Sequence, residues 1–167
     1  MTNANPINVL ILCTGNSARS ILGEALFSYL GKGRIRSFSA GSKPSGTVNP
    51  VALETLEKHG VPLPVDVRGK SWDEFAAPGA VPLDYIFTVC ASAAGETCPL
   101  WPGHPTTAHW GIADPAHVEP LAARREAFEV AYAALEKRIK AFLALDLESM
   151  SQADVVAAAR LIHEACQ

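Results

Sequence analysis

Apolar residues follow two patterns along this chain: short unbroken runs, and longer stretches in which apolar positions return every three or four residues. The run from Asn8 to Leu12 is of the first kind, as expected of a strand buried on both faces of a parallel sheet. Ile35 to Ala40 and Tyr85 to Val89 read the same way, and Thr107 to Trp110 reads as a weaker fourth strand. The second kind begins after a polar loop, Cys13 to Ser17. Leu22, Leu26 and Tyr29/Leu30 recur at helical spacing until Gly31-Lys32-Gly33 ends the helix. Asn49-Pro50 supplies a cap and a first-turn proline for another helix, with Leu53 and Leu56 on its buried face and Gly60 as its stop. Val61 to Pro82 holds four prolines and is expected to be irregular, apart from a short helix opened by a capping box at Ser71-Trp72-Asp73-Glu74. From Pro120 onward, Leu121, Phe128, Tyr132, Leu135, Ile139 and Phe142 define a long amphipathic helix. A last helix is expected from Ser151 to about Ala165. Strands alternating with helices predict an α/β fold, a parallel sheet covered on both faces.

At 167 residues the chain is expected to form a single domain, residues 1–167, with a C-terminal helical extension from about 146 to 167. Charged residues make up 19% against 49% hydrophobic, which excludes a wholly disordered chain. Basic residues number 14 and acidic ones 17, a net charge of −3 that leaves no basic excess for a nucleic-acid or membrane-surface partner. Apolar runs such as Val9 to Cys13 are strand-sized, too short to span a membrane. The first basic residue is Arg19, so the start does not read as a signal peptide, and a cytoplasmic location is expected. Four cysteines in such a chain point to chemistry rather than to disulfide staples.

The most informative segment joins the first strand to the first helix: Cys13-Thr14-Gly15-Asn16-Ser17-Ala18-Arg19-Ser20. Such a junction aims backbone N–H groups and the positive end of a helix dipole at one point, which suits a tetrahedral oxyanion. Gly15 is expected to curl the backbone with positive φ, Asn16 to brace the loop with its amide, and Arg19 to offer a planar fork of donors. Ser20 is in reach of the Cys13 sulfur. Comparable fields lower a thiol pKa from about 8.5 into the range ~3.5–7.5, so Cys13 is expected to be a thiolate nucleophile. The bland alternative is a small buried cysteine at a strand end. The strand before it, Gly15-Asn16 within the loop and the helix after it favour the functional reading. Cys90 and Asp114 also follow predicted strands, so both are expected at the same rim of the sheet as Cys13. Asp114-Pro115 suits either a general acid or a turn.

With these residues in view, the chain resembles the low-molecular-weight protein tyrosine phosphatase superfamily, and its arsenate reductase branch most. The resemblance runs from about Asn8 to Leu143, and its motifs are Cys13 to Ser20, Ser39-Ala40-Gly41, Cys90 to Cys98 and His109 to Pro115. It implies a three-layer fold with a four-stranded parallel sheet in the order 2-1-3-4. It also implies that Asp114 is the acid, and that the catalytic set is Cys13, Arg19, Cys90, Cys98 and Asp114. A reductase needs Cys90 and Cys98, because two electrons must leave the protein as a disulfide; a phosphatase has no work for them. Phosphatases of this superfamily place an aromatic pair after Asp-Pro, whereas Ala116-His117 stands here, which favours a small inorganic oxyanion. Arsenate is therefore the expected substrate, and a thioredoxin-like protein or glutaredoxin with glutathione the expected reductant. The alternatives are a tyrosine phosphatase acting through phosphocysteine and a non-enzymatic oxyanion-binding or redox-sensing domain. No cofactor is expected. Potassium is an option, since Asn16, Glu24 and Ser39 match positions that contribute to a potassium site in some relatives, with Asp66 and Asp73 near. Spacing of Cys90, Cys98, His104 and His109 suits neither a zinc ribbon nor a finger. Cys166 reads as a bystander on the tail.

Overall fold

The computed structural model describes residues 6–64, 67–89 and 106–166. Four strands, β1 (Ile7–Cys13), β2 (Ile35–Gly41), β3 (Tyr85–Thr88) and β4 (Thr106–His109), form one sheet in the order β2-β1-β3-β4, every pair parallel. The fold class expected from the sequence and the strand order implied by the resemblance are those observed. Helices α1 (Arg19–Gly31), α2 (Pro50–Lys58), α3 (Asp73–Ala76), α4 (Leu121–Leu143) and α5 (Gln152–Ala165) complete the described elements.

The unbroken apolar run of β1 is explained by its central place. Val9, Leu10, Ile11 and Leu12 are all buried although successive side chains point to opposite faces, so both faces are covered. Ile11 and its register partner Phe87 share one face. There Phe27 of α1 and Phe142 of α4 meet Phe87 at centroid distances of 5.3 and 5.1 Å. Leu10 and its partner Phe38 share the other face, where Phe75 of α3 lies 5.5 Å from Phe38.

Helix α1 is enclosed on nearly all sides, with Ser20 to Phe27 buried, so it lacks a single apolar stripe. Two apolar positions read as core from helical spacing lie outside it: Tyr29 is 47% exposed and Leu121, in the first turn of α4, is 42% exposed. Tyr29 stands near the C-terminal end of α1 and Leu121 at the N-terminal end of α4. The capping box expected at Ser71-Trp72-Asp73-Glu74 is not formed: Trp72 stands at the N-cap of α3 and no side chain caps it. Ser71 Oγ accepts from the Asp73 N–H at 3.2 Å, but the Glu74 carboxylate turns away to take a bidentate pair from Arg68 at 2.7 and 3.0 Å. Asn49 caps α2 as expected, accepting from the Val51 N–H at 3.0 Å.

The C-terminal segment is seated on the sheet. Ser151 caps α5 by accepting from the Asp154 N–H, and Val155, Val156 and Ala159 are buried against the β4 side. Trp110, fully buried just past β4, donates its indole N–H to the Ala159 carbonyl at 2.9 Å. Among the described residues no helix is long and apolar enough to cross a membrane.

Candidate active site

β1 delivers Cys13 to the carboxyl edge of the sheet, and α1 starts six residues later at Arg19. The loop between them is clipped from outside. The carbonyls of Cys13, Thr14, Gly15 and Ser17 accept from the N–H groups of Ser42, Lys43, Ser45 and Asn49, at 2.8–3.3 Å. With its carbonyls turned outward, the loop presents its amide side to the space above Cys13. Ala18 stands at the N-cap of α1 and no side chain caps that helix, so the first-turn amides and the dipole are aimed the same way.

Cys13 is buried, with its Sγ 2.9 Å from Ser20 Oγ and 3.2 Å from the Asn16 amide nitrogen, whose N–H donates to the sulfur. Asn16 also donates from Nδ2 to Ser20 Oγ at 2.8 Å and accepts at Oδ1 from the Lys70 N–H at 2.7 Å. The left-handed residue that curls the loop is Asn16, with φ of 48°, and not Gly15 as the sequence suggested. Asn tolerates that region because its short amide bonds locally, and both ends of that amide are engaged here. Gly41 at the end of β2 carries a demand the sequence did not disclose. A Cβ there would lie 2.4 Å from the Thr14 carbonyl oxygen and 3.0 Å from the Asn16 nitrogen, both backbone atoms.

Arg19 leans toward the segment after β4. It donates from Nη1 to the Ile112 carbonyl at 2.8 Å, and its Nη2 lies 3.5 Å from Asp114 Oδ2. Asp114 is exposed on the rim and its Oδ1 also accepts from the Ala116 N–H at 2.9 Å, so acid-bearing and turn-forming geometry coexist in one residue. The structure thus brings Cys13, Ser20, Arg19 and Asp114 to one edge. Cys90 and Cys98 lie outside the described residues; Val89, the residue before Cys90, donates to the Leu12 carbonyl at 2.9 Å. Cys166 is half-buried at the end of α5.

Behind the loop, Glu24 of α1 and Ser39 of β2 are buried, with the Ser39 hydroxyl donating to Glu24 Oε1. Lys70, a residue the sequence did not flag, is buried beside them, its Nζ 3.8 Å from Glu24 Oε1 and 3.2 Å from the Arg68 carbonyl oxygen. Asp73 is exposed at the start of α3, and Asp66 lies outside the described residues. Trp72 is partly buried, Trp110 is core and Trp101 is outside the described residues. Among the described residues no group of three His, Cys, Asp or Glu side chains converges as a metal site.

The family model described as low molecular weight phosphotyrosine protein phosphatase matches residues 8–155. An arsenate reductase of Brevibacillus brevis is 37% identical over 116 residues, covering 69% of this chain and 81% of that protein. The solved structure of the thioredoxin-dependent arsenate reductase of Corynebacterium glutamicum is similar with a TM-score of 0.59 and 25% identity, over 83% of this chain and 63% of that one. The tyrosine phosphatase Wzb of Escherichia coli K30, solved with sulphate, is similar with a TM-score of 0.65 and 25% identity, over 81% of this chain and 95% of that one.

Proposed function

The chain belongs to the low molecular weight phosphotyrosine protein phosphatase family, and from that premise we propose that it reduces arsenate to arsenite through Cys13. The observation that carries the reading is the Cys13 sulfur, held 2.9 Å from Ser20 Oγ beneath an outward-clipped loop with Arg19 at its rim. The residues Thr14 to Ser20 hold the oxyanion by their amides and by the Arg19 fork. The Cys13 thiolate attacks arsenic, and an oxygen leaves as water with a proton from Asp114, giving a thiol–arsenate(V) adduct. Cys90, as thiolate, attacks the Cys13 sulfur. The electron pair of the sulfur–arsenic bond passes to arsenic, which leaves as arsenite, and a Cys13–Cys90 disulfide remains. Cys98 attacks Cys90, frees Cys13 and moves the oxidation to a Cys90–Cys98 disulfide, which a thioredoxin-like or glutaredoxin/glutathione reductant opens by exchange. A relay that ends on such a reductant works in a reducing compartment, so a cytoplasmic location belongs to this reading.

Two features support arsenate over an aryl phosphate: the pair Cys90 and Cys98, and Ala116-His117 after Asp114-Pro115, where no aromatic wall stands. The likeness to Wzb favours a second reading, phosphate transfer through phosphocysteine. The deciding experiment supplies the native protein with arsenate, thioredoxin, thioredoxin reductase and NADPH, and in parallel with an aryl phosphate. Arsenate-dependent NADPH oxidation is expected, abolished in Cys13→Ser, whereas Cys98→Ser is expected to release one arsenite per chain without NADPH oxidation. Aryl phosphate hydrolysis without arsenate turnover would replace the reductase by a phosphatase. Neither activity would leave an oxyanion-binding domain, and normal cycling of Cys98→Ser would remove the third thiol from the scheme.

A further inference from the structure

We propose that the ε-ammonium of Lys70 does, in this chain, the work of a bound monovalent cation behind the anion loop, and that the chain takes no potassium there. Two of the oxygens that a cation would use already accept hydrogen bonds. Asn16 Oδ1 accepts from the Lys70 N–H, and Glu24 Oε1 accepts from Ser39 Oγ. The positive charge that would balance the buried Glu24 carboxylate is present as well. Lys70 Nζ lies 3.8 Å from Glu24 Oε1, with side-chain exposures of only 5% and 8% for the two residues. A second unit cation in the same space would face Lys70 across a few ångströms with little water to screen it. An ammonium is a compact point charge with three donors, so it can serve a carboxylate and a carbonyl together, as a small cation would. Here the carbonyl is that of Arg68, at 3.2 Å.

The backbone of Lys70 ties this charge to the thiol. Its N–H reaches Asn16 Oδ1, Asn16 Nδ2 reaches Ser20 Oγ, and Ser20 Oγ reaches Cys13 Sγ. Its carbonyl accepts from the Gly41 N–H at 2.8 Å, which fixes the same residue to the end of β2. The segment is also pressed close to the clip, since a Cβ on Gly69 would lie 3.2 Å from the Gly46 nitrogen. Lys70 is therefore a positioning residue: its side chain anchors Glu24 and its main chain braces the loop.

The test reads thermal midpoints of the full chain in potassium chloride, sodium chloride and choline chloride at one ionic strength, so its outcome does not depend on the reductase reading. The native protein is expected to melt at the same temperature in all three. Lys70→Met removes the ammonium beside the buried Glu24 carboxylate; its midpoint in choline chloride is expected to fall by roughly 6–20 °C, and potassium is expected to restore part of that loss in a saturable way. Lys70→Gln, which keeps a donor for the Arg68 carbonyl, carries the same expectation should the methionine variant not fold. The double variant Lys70→Met/Glu24→Gln removes both charges and is expected to be indifferent to the salt. A saturable rise of the native midpoint with potassium would overturn the proposal, as would single variants that melt alike in all three salts.

Discussion

Asp114 holds two bonds that a single substitution can separate. Its Oδ1 accepts from the Ala116 N–H and its Oδ2 faces Arg19. Asparagine keeps an acceptor for the turn but has no proton to give. Asp114→Asn is therefore expected to slow single-turnover reduction of arsenate by roughly 10²–10⁴-fold while oxyanion affinity stays within a few-fold. Rapid-quench measurement of arsenite, with binding followed separately by calorimetry, checks both halves; an unchanged single-turnover rate would leave Asp114 with its turn alone. Residue chemistry was largely readable here because Cys13, Arg19 and Ser20 are close in sequence and a strand-to-helix junction fixes their relation. Lys70 was not readable. Its partner Glu24 is 46 positions away, and nothing in Gly69-Lys70-Ser71 announces that the lysine is buried.

At the scale of elements, the close approach of β2 to the loop sets a narrow tolerance. Gly41→Ala drives a methyl group into the Thr14 carbonyl and the Asn16 nitrogen, neither of which can rotate aside. Overpacking of this kind costs about 1–3 kcal/mol, and here it falls on the backbone we propose to bind the anion. Phosphate or arsenate binding is expected to weaken by roughly 5–150-fold with the sheet intact, measurable by calorimetry beside a circular dichroism melt. Unaltered affinity would show that the loop can yield. Periodicity located each described strand and helix to within a residue or two, since each satisfies a local rule. It misassigned Tyr29 and Leu121, which stand near helix ends, because spacing gives the face of a helix but not which of its turns are covered. The partner of Glu74 was also missed, because Arg68 competes with the cap across a turn. The clip from Ser42 to Asn49 was illegible for a related reason: main-chain bonds between distant segments leave no composition signal.

Across the whole molecule, α5 joins the sheet to α4 through one pH-sensitive contact. Arg138 Nε donates to His163 Nδ1 at 3.1 Å, which requires a neutral ring. Burial, then the Arg138 charge, then His109 hold the His163 pKa below its ordinary value of 6.5. The unfolded chain thus binds this proton more readily than the folded one. The contribution is complete above about pH 6.5 and declines as the pH falls from there through the lowered folded value. Amide exchange in α5 is expected to quicken over that acid window and to lose this dependence in His163→Gln; equal pH dependence in the variant would assign the effect elsewhere. The sequence predicted this last helix without placing it, whether over the core or in a dimer contact; Val155, Val156 and Ala159 are buried. Trp110, whose indole needs the Ala159 carbonyl, holds the helix there. The loop clip has a consequence on the same scale. Four outward hydrogen bonds surrender the configurational entropy of residues 13–17 when the chain folds. An arriving anion then meets a rigid mould of dipoles without induced fit, and any motion that a catalytic cycle demands is displaced into segments beyond that mould.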